Sequence, residues 1–119
     1  MSSNDFAEYV VELLSPLGAV TARRMFGGFG IYCSGVMFGL IADDTLYLKV
    51  DATNQSDFEA VGMDPFTYTG KGKPVRMSYF QAPPDAMEDA ADMLPWARGA
   101  LDAALRGKKP SKPGKRKAR

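Results

Sequence analysis

Between residues 20 and 50 the sequence holds four apolar, β-rich runs, 20–26, 29–33, 36–42 and 45–50, and two residues alone separate each of the last three from its neighbour. Ser34-Gly35 and Asp43-Asp44 are short enough to make tight hairpins, and a tight hairpin makes its two strands antiparallel. In the fourth run Leu46, Leu48 and Val50 alternate with Tyr47 and Lys49, the period-two pattern of a strand that buries one face. The stretch therefore reads as an antiparallel meander.

Helical spacing flanks it. Asn4 is placed to cap a first helix in which Phe6, Tyr9, Val10, Leu13 and Leu14 share one face, before Pro16 and Gly18 end it. Residues 51–61 read as a short helix, with Thr53 or Asn54 near its start and Gly62 placed for a left-handed turn after its end. The runs 66–69 and 75–80, joined by Gly70-Lys71-Gly72-Lys73-Pro74, read as a second hairpin with a cationic loop. Beyond Pro83-Pro84 lies a last helical region carrying Met87, Met93, Leu94, Trp96, Ala97, Leu101 and Leu105, with Asp85 or Asp89 as candidate cap. Pro95 has no amide hydrogen and suits the first turn of a helix. With Asp92 as cap, the main helix is expected over 93–106, after a break near residue 92.

The expected fold class is α+β: helix, antiparallel strand meander, helix, β-hairpin, C-terminal helix, in one domain over residues 1–107. A chain of 119 residues can bury one core without disulfides or metal. Cys33, the single cysteine, excludes an intramolecular disulfide framework and reads as a small buried apolar residue in a reducing compartment. The start lacks a leader-like pattern and no run of about 18 apolar residues occurs, so a cytoplasmic protein without a membrane partner is expected.

Charge is unevenly spread. The formal net charge is +1, yet seven of the 15 cations lie in residues 108–119, leaving eight against all 14 acids in 1–107, a balance near −6. Lys, Pro, Gly and Ser dominate 108–119, which cannot bury enough apolar surface to offset its ordering entropy and is expected to be a disordered basic tail. Its cations Lys108, Lys109, Lys112, Lys115, Arg116, Lys117 and Arg119 suit weak, sequence-independent attraction to nucleic acid, or simply solubility.

Catalytic chemistry has little material. No histidine occurs, so a Ser-His-Asp or Cys-His arrangement and the common imidazole metal sites are excluded. Gly27-Gly28-Phe29-Gly30 does not match a dinucleotide fingerprint, and Gly70-Lys71-Gly72-Lys73 lacks the spacing of a phosphate-cradling loop. Asp43-Asp44 reads as a solvated turn. A non-enzymatic protein with neither cofactor nor metal is expected.

Residues 23–32, Arg-Arg-Met-Phe-Gly-Gly-Phe-Gly-Ile-Tyr, remain the most distinctive stretch. Gly27, Gly28 and Gly30 permit a bend or a close approach where aromatic residues would otherwise continue a strand. Arg23 and Arg24 should point to opposite faces, each serving either an ion pair or a contact surface. The candidate partner-binding patch comprises Arg23, Arg24, Lys49, Lys71, Lys73 and Arg76. The strand aromatics read first as packing and the methionines as adaptable core filler.

Several motifs in fixed order resemble the TfoX/Sxy family's N-terminal domain: residues 23–32, then Met37-Phe38-Gly39-Leu40-Ile41, Leu46-Tyr47-Leu48-Lys49-Val50-Asp51, Asn54, Phe58, Gly62, Pro65-Phe66-Thr67-Tyr68, Gly72-Lys73, Met77-Ser78-Tyr79-Phe80 and Pro95-Trp96-Ala97. The resemblance spans about residues 5 to 106 and implies the same α+β order in a secretion-chaperone-like layout. Two-domain members of that family are competence regulators, thought to act as co-activators beside the cyclic-AMP receptor protein. The resemblance implies a regulatory or adaptor domain with a protein partner such as a transcription regulator. A nucleic-acid-binding protein is the alternative reading, and a small-ligand binder or enzyme at the glycine bend a third. Homodimerisation through an exposed strand edge is also open.

Overall fold

The computed structural model describes residues 4–25, 27–69 and 74–107. Its elements are α1 (Asn4–Leu13), β1 (Thr21–Met25), β2 (Gly28–Cys33), β3 (Val36–Ala42), β4 (Thr45–Lys49), α2 (Gln55–Ala60), β5 (Pro65–Thr69), β6 (Pro74–Gln81) and α3 (Ala90–Gly107), with short 3-10 turns at Ser15–Leu17 and Pro84–Glu88. The α+β layout is the one expected from the sequence. All strands join one six-stranded antiparallel sheet in the order β1-β2-β3-β4-β6-β5. The second hairpin enters this sheet through β6, which sets Phe80 opposite Leu48 of β4.

Both tight turns take the backbone form that a two-residue hairpin requires. Ser34 and Gly35 have φ of 54° and 79°, Asp43 and Asp44 of 52° and 54°. Positive φ at both central positions matches the right-handed twist of the flanking strands, and short polar side chains tolerate it best after glycine. At the first hairpin the constraint is stricter. A Cβ on Gly28 would lie 1.9 Å from the Ile41 carbonyl oxygen, so β3 approaches β2 at a distance that only glycine allows.

A bulge between β2 and β3 alters which residues face inward. Ile31 pairs with Gly39 and Tyr32 with Met37, leaving Phe38 as the extra residue. Phe38 and Gly39 therefore share the inner face, where Phe38 is fully buried and Gly39 leaves room for Ile31 and Leu46. The core consists of Phe29, Ile31, Phe38, Ile41, Leu46, Leu48 and Phe80 from the sheet, closed by Val10 and Leu13 of α1, Phe58 of α2, and Met93, Ala97, Ala100, Leu101 and Ala104 of α3. Small residues on α3 let its backbone lie close to the strands. Phe58 joins α2 to the sheet and to α3, with ring centroids 6.0 Å from Phe80 and 4.8 Å from Trp96.

Three local expectations need correction. Asp89, not Asp92, caps α3: its carboxylate accepts the Ala91 amide at 3.3 Å and its carbonyl the Met93 amide at 3.0 Å. The helix runs unbroken from Ala90, which puts Pro95 inside it. Proline there leaves the Ala91 carbonyl without a helical partner, but residue 91 is exposed to water, while helical geometry on both sides buries Met93 and Ala97. Burying a methionine contributes about 2 kcal/mol, comparable with the cost of the proline. Asn4 lies inside α1, where its carboxamide oxygen accepts from Arg24 Nη2 at 2.7 Å. Asn54 stands at the start of α2, as expected, without a side-chain cap bond. Buried, it accepts the Asp51 amide at 2.8 Å and donates to the Lys49 carbonyl at 3.1 Å, tying the end of β4 to the turn that follows. Gly62 behaves as expected, ending α2 with φ of 79° while Met63 donates to the Phe58 carbonyl at 3.0 Å.

The far end of α3 is held by a forked ion pair. Arg106 Nε and Nη2 donate to the two carboxylate oxygens of Asp51 at 2.7 and 3.0 Å. The guanidinium bond lowers the Asp51 carboxyl to about 2. Because the folded value lies below the ordinary carboxylate value near 4, the pair's stabilisation is present above about pH 4 and is lost as pH falls toward 2. In urea unfolding, Asp51→Asn is expected to be less stable than the native chain at pH 7, with the gap closing near pH 2. Gly28→Ala is expected to lose about 2 kcal/mol or more, since backbone must move. Gly27→Asn loses clearly less, because that left-handed residue has open space around it.

Candidate functional site

Period-two alternation sends every second strand residue away from the helices. On this outer face Met25 stands opposite Gly28, Arg23 opposite Gly30, Tyr32 opposite Met37, Leu40 opposite Tyr47 and Lys49 opposite Tyr79. The core cluster contains none of these side chains, and all three α-helices among the described residues pack on the other face. Phe66 of β5 joins the outer face by meeting the Tyr47 ring edge-on at 4.9 Å between centroids.

This face is concave. Met25 of β1, Met37 and Leu40 of β3, and Phe66 and Met77 of the last hairpin line one cavity of about 280 Å³. With strands about 4.8 Å apart, a flat sheet would hold β1 and β5 roughly 24 Å from each other. A cavity this small touches both only if the sheet curls, and the bulge at Phe38 supplies added twist. Gly28 belongs to its lining, and Gly30 lies beneath two of the methionines. The position a Cβ would take on Gly30 lies 2.6 Å from Met25 Sδ and 3.0 Å from Met37 Sδ, so these thioethers lie over the glycine.

Charge is arranged along the groove. At the end carrying Met37, Arg23 lies 5.3 Å over the Tyr32 ring and Lys49 5.2 Å over the Tyr79 ring. Burial, then the nearby Tyr32, raises the Tyr79 hydroxyl, which stays protonated at neutral pH. The Asp43-Asp44 turn stands at the other end, beside Ala42; burial and then Asp43 raise the Tyr47 hydroxyl. The groove's lining offers thioethers, two phenyl rings and alkyl groups, none of them a proton-transfer group at neutral pH. Among the described residues no group of three or more His, Cys, Asp or Glu side chains could hold a metal ion, and no helix is long and apolar enough to cross a membrane.

The cationic patch expected from the sequence divides. Arg23 and Lys49 share the outer face, whereas Arg24 faces the helices, 5.2 Å over the Phe29 ring and bonded to Asn4 of α1. Arg24 is thus a staple between β1 and α1. Arg76 pairs with Thr67 in the β5–β6 ladder, its side chain lying outside the described part. Lys71, Lys73 and the tail cations Lys108, Lys109, Lys112, Lys115, Arg116, Lys117 and Arg119 lie outside the described residues. The methionines expected as core filler separate too: Met93 is fully buried, while Met25, Met37 and Met77 line the open groove. Their parity with Arg23 along β1 and with Tyr79 along β6 was the available signal.

The domain is thus α+β, with helices on one face of a curled antiparallel sheet and an apolar, cation-flanked groove on the other. The chain matches the TfoX N-terminal domain over residues 12–104 and belongs to that family. It is 28% identical over 99 residues to Protein Sxy of Escherichia coli K12, an alignment covering 82% of this chain and 46% of that protein. It is 27% identical over 95 residues to DNA transformation protein TfoX1 of Aliivibrio fischeri, covering 80% of this chain and 46% of the relative. The chain thus spans about half the length of these relatives. The division between the arginines predicts that Arg24→Ala lowers unfolding free energy by about 1 kcal/mol. Arg23→Ala is expected to stay within about 0.5 kcal/mol of the native chain in the same measurement.

Proposed function

We propose that this chain is a non-enzymatic regulatory adaptor domain that acts through protein contacts on its helix-free face. The observation that carries the reading is the pairing, on one concave surface, of an apolar floor with the cations Arg23 and Lys49 and without acid–base machinery. Surfaces of this kind bind by desolvating an apolar centre and orient the partner by charge at the rim. Kinship with the family of Protein Sxy and DNA transformation protein TfoX1 favours a partner in the control of transformation, such as a cytoplasmic transcription regulator. Residues 1–107 would form the folded unit. Seven cations in residues 108–119 favour an auxiliary role, a weak pull toward nucleic acid that brings the domain near its partner.

A tagged chain carrying Arg23→Glu and Lys49→Glu is expected to lose partners captured from host lysate while keeping a native circular dichroism spectrum. An unchanged captured set would sink the reading. Removing 108–119 is expected to abolish any salt-sensitive retention on duplex DNA and to leave those protein contacts in place.

A further inference from the structure

We infer that the groove on the concave face is a socket for one large apolar side chain, aromatic or leucine-like, carried by an acidic segment of a partner protein. This inference rests on the protein-contact reading and names the chemistry of the partner. Size decides first. About 280 Å³ falls below the usual range of small-molecule pockets, roughly 300–1,000 Å³, and leaves no room for a docked helix, but it admits a single anchoring side chain.

The lining agrees. Three thioethers, from Met25, Met37 and Met77, are polarizable and unbranched, so they can re-pack around an incoming ring. Gly30 leaves room for two of them, since a Cβ there would lie 2.6 Å from Met25 Sδ and 3.0 Å from Met37 Sδ. Charge then selects the segment. Arg23 and Lys49 flank the Met37 end, so acidic residues beside the anchor meet cations there, while the Asp43-Asp44 turn at the opposite end repels acids and fixes the direction of the segment. A second copy of this chain would set concavity against concavity and leave the socket unfilled. A phosphate backbone carries no apolar side chain to fill it.

The experiment uses the whole chain with methyl-labelled methionine and a short synthetic peptide holding one tryptophan among aspartates. Titration is expected to shift the Met25, Met37 and Met77 methyl resonances along one saturation curve and to leave Met93 in place. Replacing the peptide's tryptophan by alanine, or its aspartates by lysines, should weaken binding by about tenfold or more. Ala42→Leu fills the socket from the β3 end without removing a core contact and should weaken it similarly. Should that variant misfold, Met25→Ala, which widens the socket, should shift preference toward a bulkier naphthyl anchor. Equal binding of the alanine peptide would reduce the effect to charge attraction and overturn the inference. So would a silent groove in a protein whose sedimentation reveals a dimer that Ala42→Leu disrupts, a result assigning the face to a second copy. If the groove stays silent but Arg23→Glu with Lys49→Glu still releases captured proteins, the adaptor reading stands and the socket alone falls.

Discussion

One-sided coverage of the sheet governs the rest of the structure. Among the described residues three helices crowd one face, where Phe38, Ile41, Leu48 and Phe80 supply the apolar surface they need, and only strands form the other face. A sheet loaded on one side by helices with alanine-rich contact surfaces can curl, and two local features push it that way. The bulge at Phe38 adds twist in the middle, and the glycine approach of Gly28 to the Ile41 carbonyl draws the first hairpin in. The outcome is a concavity that brings the outermost strands to one small cavity.

That geometry changes the meaning of side chains that look ordinary in the sequence. Methionine and tyrosine on a flat exposed sheet would be a liability, since broad apolar faces and free edges invite aggregation. Curling confines the apolar surface to a groove and places a cation over an aromatic ring at its border, twice. Arg24 shows the converse. One residue from Arg23, it lies across the sheet and holds α1 to β1. Two neighbouring arginines thus serve folding and surface chemistry separately, as the period of two dictates.

Much of the fold was legible because it depends on local geometry. Two-residue breaks at Ser34-Gly35 and Asp43-Asp44 leave little choice but tight antiparallel turns, and Gly62 marks the end of α2 because its backbone must enter the left-handed region. Pro95 misled for an instructive reason: the local rule against proline inside a helix is worth a few kcal/mol, and burial of Met93 and Ala97 is of the same size. The groove was less legible because it rests on non-local facts. That β6 lies beside β4, and that the sheet curls, determines that Met37 and Met77 meet Met25 at one cavity. No spacing within a single strand carries that information.

The central claim is that methionines from β1, β3 and β6 line one open concavity. Hydroxyl-radical footprinting read by mass spectrometry tests it directly, with and without the apolar anionic dye anilinonaphthalene sulfonate. Met25, Met37 and Met77 are expected to oxidise far faster than fully buried Met93, and the dye should protect all three with a single midpoint. Protection of Met77 without Met25, or a Met25 and Met37 as unreactive as Met93, would contradict the curled, open face on which the functional reading depends.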